Sequence, residues 1–174
     1  WTLETDLDGI PVVISRTGWT GEMGYEIYLR DPSRGNELWE RIMEAGKPHN
    51  IRPIAPCEAR KIEAGILNHG QSMTIENNPY EIMGFERLVE DQSTDYIGKQ
   101  ALAKIKEKGV KKRMVGIKVS LERTALWMED AWPVYKDGKQ IGKITDLAWS
   151  PRLEQNIGYV WVDTEYSSPG IELE

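Results

Sequence analysis

The sequence predicts an α/β region followed by a small all-β domain. Strand-like and helix-like segments alternate up to residue 109, with helices opened by Pro or closed by Gly. From residue 110 only strand-like runs follow, and one pair is joined by Asp137-Gly138, a dipeptide suited to tight hairpins. Three or more strands with little helix predict a barrel or sandwich.

IPVVISRT (10–17) is rich in β-branched residues and reads as a strand. YEIYLR (25–30) alternates and reads as its partner. Glycines 18, 21 and 24 lie in a connection too long for a two-residue turn. Asp31-Pro32 reads as a helix cap followed by Pro at the first helical position. Leu38, Ile42 and Met43 recur at helical spacing, and Gly46 ends the run. Pro56 opens a short helix, CEARKIEAGIL, with Ala59, Ile62, Ala64 and Ile66 apolar and Arg60 and Glu63 polar. QSMTIENNPYE (71–81) is a long polar loop. GFERLVE (84–90) fits a strand or a turn of helix, and EDQSTD (90–95) has linker composition. YIGKQALAKIKEKG places Ile97, Ala101, Leu102 and Ile105 on one face, with Gly109 as the stop. The runs KKRMVGIKV, WPVYKDGKQIGKITDLAW and NIGYVWV supply the strands that follow. The expected domains are residues 1–92, a helical connector at 93–109 and a β domain at 110–174. The first residue is Trp1, and SSPGIELE stops inside a strand-like run, so both ends are expected to be cut edges and the β domain truncated.

Hydrophobic residues make up 40% of the 174 and charged residues 29%, a globular balance. The net charge of −6 argues against nucleic acid and anionic membrane as partners, since both need a basic face. The basic stretch KIKEKGVKKR (104–113) reads as a solvated helix face. No apolar run approaches a membrane span. One cysteine excludes an internal disulfide and fits a reducing compartment, hence a cytoplasmic location. His49, His69 and Cys57 have no metal-ligand spacing. The seven Trp and seven Tyr against one Phe suit pockets or interfaces, and also a core.

The glycines do not make a phosphate loop. Their spacing is G-x-x-G-x-x-G, no Lys follows, the next element is a strand, and Glu22 and Glu26 would repel phosphate. Strand parity puts Tyr25, Ile27 and Leu29 on one face as a core surface, and Glu26 and Tyr28 on the other. That second face either meets water or lines a pocket. In a pocket, the Glu26 carboxylate would accept two parallel hydrogen bonds from adjacent N–H and NH2 donors, as on a guanine-like or pterin edge. A neighbouring Trp or Tyr would stack on the flat ring. No nucleophile motif is present. His69 reads as a loop residue. Cys57 reads as a small buried residue rather than a thiol activated at a helix start. Exposed Trp127, Trp132, Trp149 and Trp161 would instead mark a partner-binding β module. Alternation within NIGYVWV assigns Trp161 to a core.

SRTGWTGEMGYEIYL (15–29) resembles the RTGYTGEDGFEI signature of the aminomethyltransferase family, the T-proteins of the glycine cleavage system. RKIEAGILNHG is similar to its RLEAGLxLYG segment. NPYEIMGFERLV, DYIGKQAL, KRMVGIKV, IGKITDLAWSPRLEQNIGYVWV and SPGIELE match further blocks in family order. The resemblance implies a tetrahydrofolate-dependent one-carbon transferase of three lobes around a central folate hole. This chain would then hold the end of the folate-binding α/β region (1–92) and a small all-β C-terminal barrel. The family's catalytic aspartate would lie in an absent early half, so the chain alone should lack a complete site and catalytic residues cannot be named. Within the family, TGWTGEMGYEIY, KIEAG and NPYE are similar to SGW…GGYEIY, RIEG and NPFE of the dimethylsulfoniopropionate demethylase branch. By matching position, Glu26 would hold the pterin edge, and Trp19 and Tyr28 would line the pocket. Arg60 and Glu63 match more weakly. The signature Tyr is Trp19 here, and the Arg of the T-protein ARD segment falls on Cys57, which points away from glycine-derived aminomethyl chemistry. The implied partners are a small methyl or aminomethyl donor and the absent half or a second copy of the chain. A non-catalytic folate-binding module is the other reading of the same ancestry.

Overall fold

The computed structural model describes residues 1–89, 93–124 and 128–174. The predicted order of an α/β region and then a β region is what it contains. A three-stranded antiparallel sheet comes first, in the order β1 (Thr2–Leu7), β2 (Ile10–Ser15), β3 (Glu26–Leu29). Strand β1 has no counterpart in the sequence reading. Its signal was available: Asp8-Gly9 joins β1 to β2 with φ of 51° and 78°, like Asp137-Gly138 with φ of 50° and 76°.

Asp31 caps as expected, its Oδ1 accepting from the Ser33 backbone N–H at 3.0 Å. A single 3-10 turn leads into α1 (Gly35–Gly46). Leu38 and Ile42 of α1 pack with Ile10, Val12, Ile14 and Leu29, so the helix covers one face of the sheet. Charged contacts fix its angle. Arg34 grips Glu37 at 2.8 and 2.9 Å, Arg41 donates to Glu37 at 2.7 Å, and Arg41 also reaches the Asp8 carbonyl at 3.0 Å. The Arg34 hydrogen bond is the main reason the Glu37 carboxyl sits well below its usual value, at about 2.

Helix α2 (Glu58–Glu63) is shorter than the sequence suggests. It stops before Ala64, which is exposed, because the chain reverses at Gly65 with φ of 70°. The long loop at 71–81 is present. Residues 86–88 form a 3-10 turn, settling the strand-or-helix choice there. The proposed linker at 90–95 lies partly outside the described residues. Helix α3 (Lys99–Lys108) ends at Gly109 as expected, but Ile97 is fully exposed instead of sharing its apolar face. Gly98 takes φ of 94° and breaks the helical phase between Ile97 and Lys99.

The second sheet is antiparallel in the order β4-β7-β6-β5, from β4 (Lys112–Val119), β5 (Trp132–Lys136), β6 (Lys139–Ser150) and β7 (Gln155–Asp163). Each face of this sheet carries a core. Val134, Ile141, Ile144, Leu147, Val160 and Val162 pack on one side. Ile157, Tyr159 and Trp161 pack on the other, against Ile62 of α2, Ile82 and Met114. Trp161 is buried as its alternation predicted, and Trp132 and Trp149 are half-buried, which removes the row of exposed tryptophans expected of a partner-binding module. Trp127 lies outside the described residues. Among the described residues no helix is long and apolar enough to cross a membrane.

Candidate functional site

The connection between β2 and β3 is built against the end of α2. Gly21 has φ of 70°, and a Cβ there would stand 2.7 Å from the Ala64 Cβ. Only glycine serves a left-handed backbone that close to a helix end. The tight approach is to Ala64. Glu22 extends the same contact, 3.9 Å from Arg60 of α2. At the other edge Trp1 and Tyr25 meet with ring centroids 6.1 Å apart.

Strand register then places the carboxylate. Glu26 pairs with Ser15 and Tyr28 with Val13, on the sheet face opposite α1. The Tyr28 hydroxyl donates to Glu26 Oε2 at 3.2 Å, so the two share a side, as parity predicted. The Thr17 hydroxyl, from the glycine-rich loop, donates to the same Oε2 and lies 3.1 Å from Ser15 Oγ. One carboxylate oxygen therefore has two protein donors, and Oε1 accepts no hydrogen bond among the described residues. Tyr28 is 54% exposed, so this face is open, and Trp19 in the preceding loop is 45% exposed. Among the described residues, no ring contact or hydrogen bond joins Trp19 to Glu26 or Tyr28. The opposite parity set is less buried than expected. Leu29 packs under α1, while Ile27 of the edge strand β3 and Tyr25, just before it, are exposed.

A second group of residues lies where α2 meets β6. Pro56, Cys57, Glu58, Arg123 and Trp149 line a cleft of about 370 Å³, with the Arg123 guanidinium 5.8 Å from the Trp149 ring centre. Cys57 is exposed, contrary to the buried role expected of it, because it occupies the extended cap position before α2. His69 is an exposed loop residue. Glu63 accepts from the Ser150 hydroxyl of β6, a structural tie.

The most buried charges were not singled out in the sequence. Lys61, wholly buried in α2, donates to Asp146 of β6 at 2.7 Å and to Glu58 at 2.5 Å. The Ser72 hydroxyl donates to the same Asp146 oxygen at 3.0 Å, while Asp146 Oδ2 has no partner among the described residues. The available signal was a lone Asp inside the apolar run ITDLAW and a Lys between Ala59 and Ile62. Tyr159 closes the group, its hydroxyl 3.2 Å from the carbonyls of Ile62 and Ile66 at the end of α2. Burial, reinforced by the charges of Asp146 and Glu58, pushes this phenol above its ordinary value. The unfolded chain then loses the proton first. Tyr159 stabilises fully below about pH 10, and the contribution fades as pH rises beyond that. Denaturant unfolding of Tyr159→Phe and the parent should show a stability gap that narrows above pH 10; a constant gap would contradict this.

An α/β unit presenting a hydrogen-bonded carboxylate on an open sheet face, joined to an antiparallel β domain, defines the class of arrangement. Residues 1–92 match the GCVT N-terminal domain, and residues 112–174 match the Glycine cleavage T-protein C-terminal barrel domain. The chain belongs to the glycine cleavage T-protein family. It is 33% identical over 166 residues to the dimethylsulfoniopropionate demethylase DmdA of Ruegeria pomeroyi, covering 95% of this chain and 44% of that protein. It is 36% identical over 177 residues to an aminomethyltransferase of Desulfitobacterium hafniense, covering 100% of this chain and 47% of the relative. The crystal structure of the glycine cleavage system aminomethyltransferase T from Bartonella henselae superposes with a TM-score of 0.78, at 20% identity, over 99% of this chain and 46% of that one. The chain thus spans about half the length of the relatives it matches.

Proposed function

We propose that this chain supplies the pterin-holding wall of a cytoplasmic, tetrahydrofolate-dependent transferase that moves a methyl group from a small donor, such as dimethylsulfoniopropionate, to tetrahydrofolate. The observation that carries the reading is the Glu26 carboxylate, oriented by Thr17 and Tyr28 on the sheet face opposite α1. Glu26 Oε1 takes one donor of the pterin edge. A second parallel bond at Oε2 displaces the Thr17 or Tyr28 hydroxyl, each of which then bonds solvent or ligand. Trp19 and Tyr28 flank the ring. The face is completed by further polypeptide of the same enzyme or by a second copy, so the 174 residues alone turn over no donor.

Tetrahydrofolate, when bound, supplies the nucleophilic N5. A sulfonium methyl is already activated, so the protein's task is to align two small molecules rather than to attack. Aromatic faces hold a sulfonium by cation–π attraction worth roughly 0.5–2 kcal/mol. The second reading is a glycine cleavage aminomethyltransferase, favoured by the 36% identity to such enzymes. Cys57, at the place of the T-protein Arg, weighs against it.

The test is a donor screen on the full-length enzyme. Release of 5-methyltetrahydrofolate from a sulfonium donor is the expected result. Formation of 5,10-methylenetetrahydrofolate from an aminomethyl donor would establish the second reading, and no folate product from either would reduce the chain to a binding module.

A further inference from the structure

We propose that the cleft between the 71–77 loop and the α2-side face of β6 and β7 binds a small zwitterion of the amino-acid class. The cavity is about 490 Å³, within the range of small-molecule sites. Its walls carry two cations and two carboxylates: Lys112, Lys143, Glu76 and Asp163. Lys112 stands opposite Asp163 across β4 and β7, and Lys143 stands opposite Trp161 across β6 and β7. Yet none of the four takes part in an ion pair within 4 Å among the described residues. Lys112 instead sits 5.3 Å from the Trp161 ring centre. Charges of both signs are held around one space without neutralising each other.

A second feature belongs to the same wall. Thr145 also lines the cleft, at the irregularity of β6, and is only 7% exposed. Its hydroxyl has no hydrogen-bond partner among the described residues, although its carbonyl accepts from Gln71 at 3.3 Å. A buried hydroxyl without a partner is unfavourable unless something supplies one. The opposite wall is firm. The Ser72 carbonyl accepts from the Trp161 indole at 2.8 Å, and the Ser72 hydroxyl is tied to Asp146. The loop is therefore set before any ligand arrives, which lowers the ordering cost of binding.

Ligands of a single charge sign fit poorly here. An anion reaching Lys112 and Lys143 also meets Glu76 and Asp163, and a cation meets the reverse. A molecule with an ammonium at one end and a carboxylate at the other satisfies both pairs, and the Thr145 hydroxyl, wholly covered in the free protein, reaches one end by turning about χ1.

The experiment titrates the full chain with L-glutamine by calorimetry, with glutarate and 1,4-diaminobutane as single-sign controls. Saturable binding of glutamine, with both controls about tenfold weaker or more, is expected. Lys143→Gln should weaken glutamine binding about tenfold while leaving the melting temperature unchanged. Thr145→Val should raise the melting temperature of the free protein and yet weaken binding, a combination that a purely structural Thr would not give. The inference is overturned by unsaturable glutamine binding, by equal or tighter binding of either control, or by full affinity in both variants.

Discussion

Lys61→Met should destabilise the protein by about 3–5 kcal/mol, read as a lower denaturation midpoint at unchanged slope. The lysine has no exposed surface, and its ammonium bridges Asp146 and Glu58. Removing it strands the Asp146 carboxylate, which is also fully buried and already has one oxygen without a partner among the described residues. The residues are 85 positions apart, so the pair locks α2 of the first region onto β6 of the second. Asp146→Leu alone should cost a similar amount by stranding Lys61. The double replacement, Lys61→Met with Asp146→Leu, should recover much of the loss, because an apolar pair avoids desolvating two charges. Additive losses in the double variant would show that the two side chains act independently and that the lock is misassigned.

Glu26→Ala should weaken tetrahydrofolate binding to the full-length enzyme by roughly 10- to 100-fold, the value of charge-assisted hydrogen bonds lost from a ligand. The fold should be unaffected, since Glu26 is exposed on an edge strand and its bonds are to Thr17 and Tyr28 on the surface. Tyr28→Phe should have a smaller effect, because the ring remains and only one orienting bond is lost. Unchanged affinity in Glu26→Ala, measured by calorimetry, would remove the pterin assignment.

Local signals in the sequence were sufficient for most of the elements. Asp31-Pro32, Gly109 and Asp137-Gly138 act through caps and turns, which depend on neighbours in the chain. The same reasoning placed Glu26 and Tyr28 on one side of a strand, because parity is also local. Some of what it missed is local, like the Asp8-Gly9 turn between β1 and β2, and some depends on distant partners. The left-handed Gly98 took Ile97 out of helical phase, and the reversal at Gly65 cut α2 short. The need for Gly21 comes from Ala64, 43 positions away, and Lys61 is legible only once Asp146 is brought beside it. The sequence order of Cys57 and Glu58 likewise gave no hint that they share a cleft with Arg123 and Trp149.

The central claim, that the open face of the first sheet holds the pterin, is tested most directly by the structure of the full-length enzyme with tetrahydrofolate bound. The predicted result is the N–H and NH2 edge of the pterin on the Glu26 carboxylate, with the Thr17 or Tyr28 hydroxyl displaced from Oε2 and Trp19 beside the ring. A pterin bound elsewhere, with the Thr17–Glu26–Tyr28 bonds intact, would contradict it.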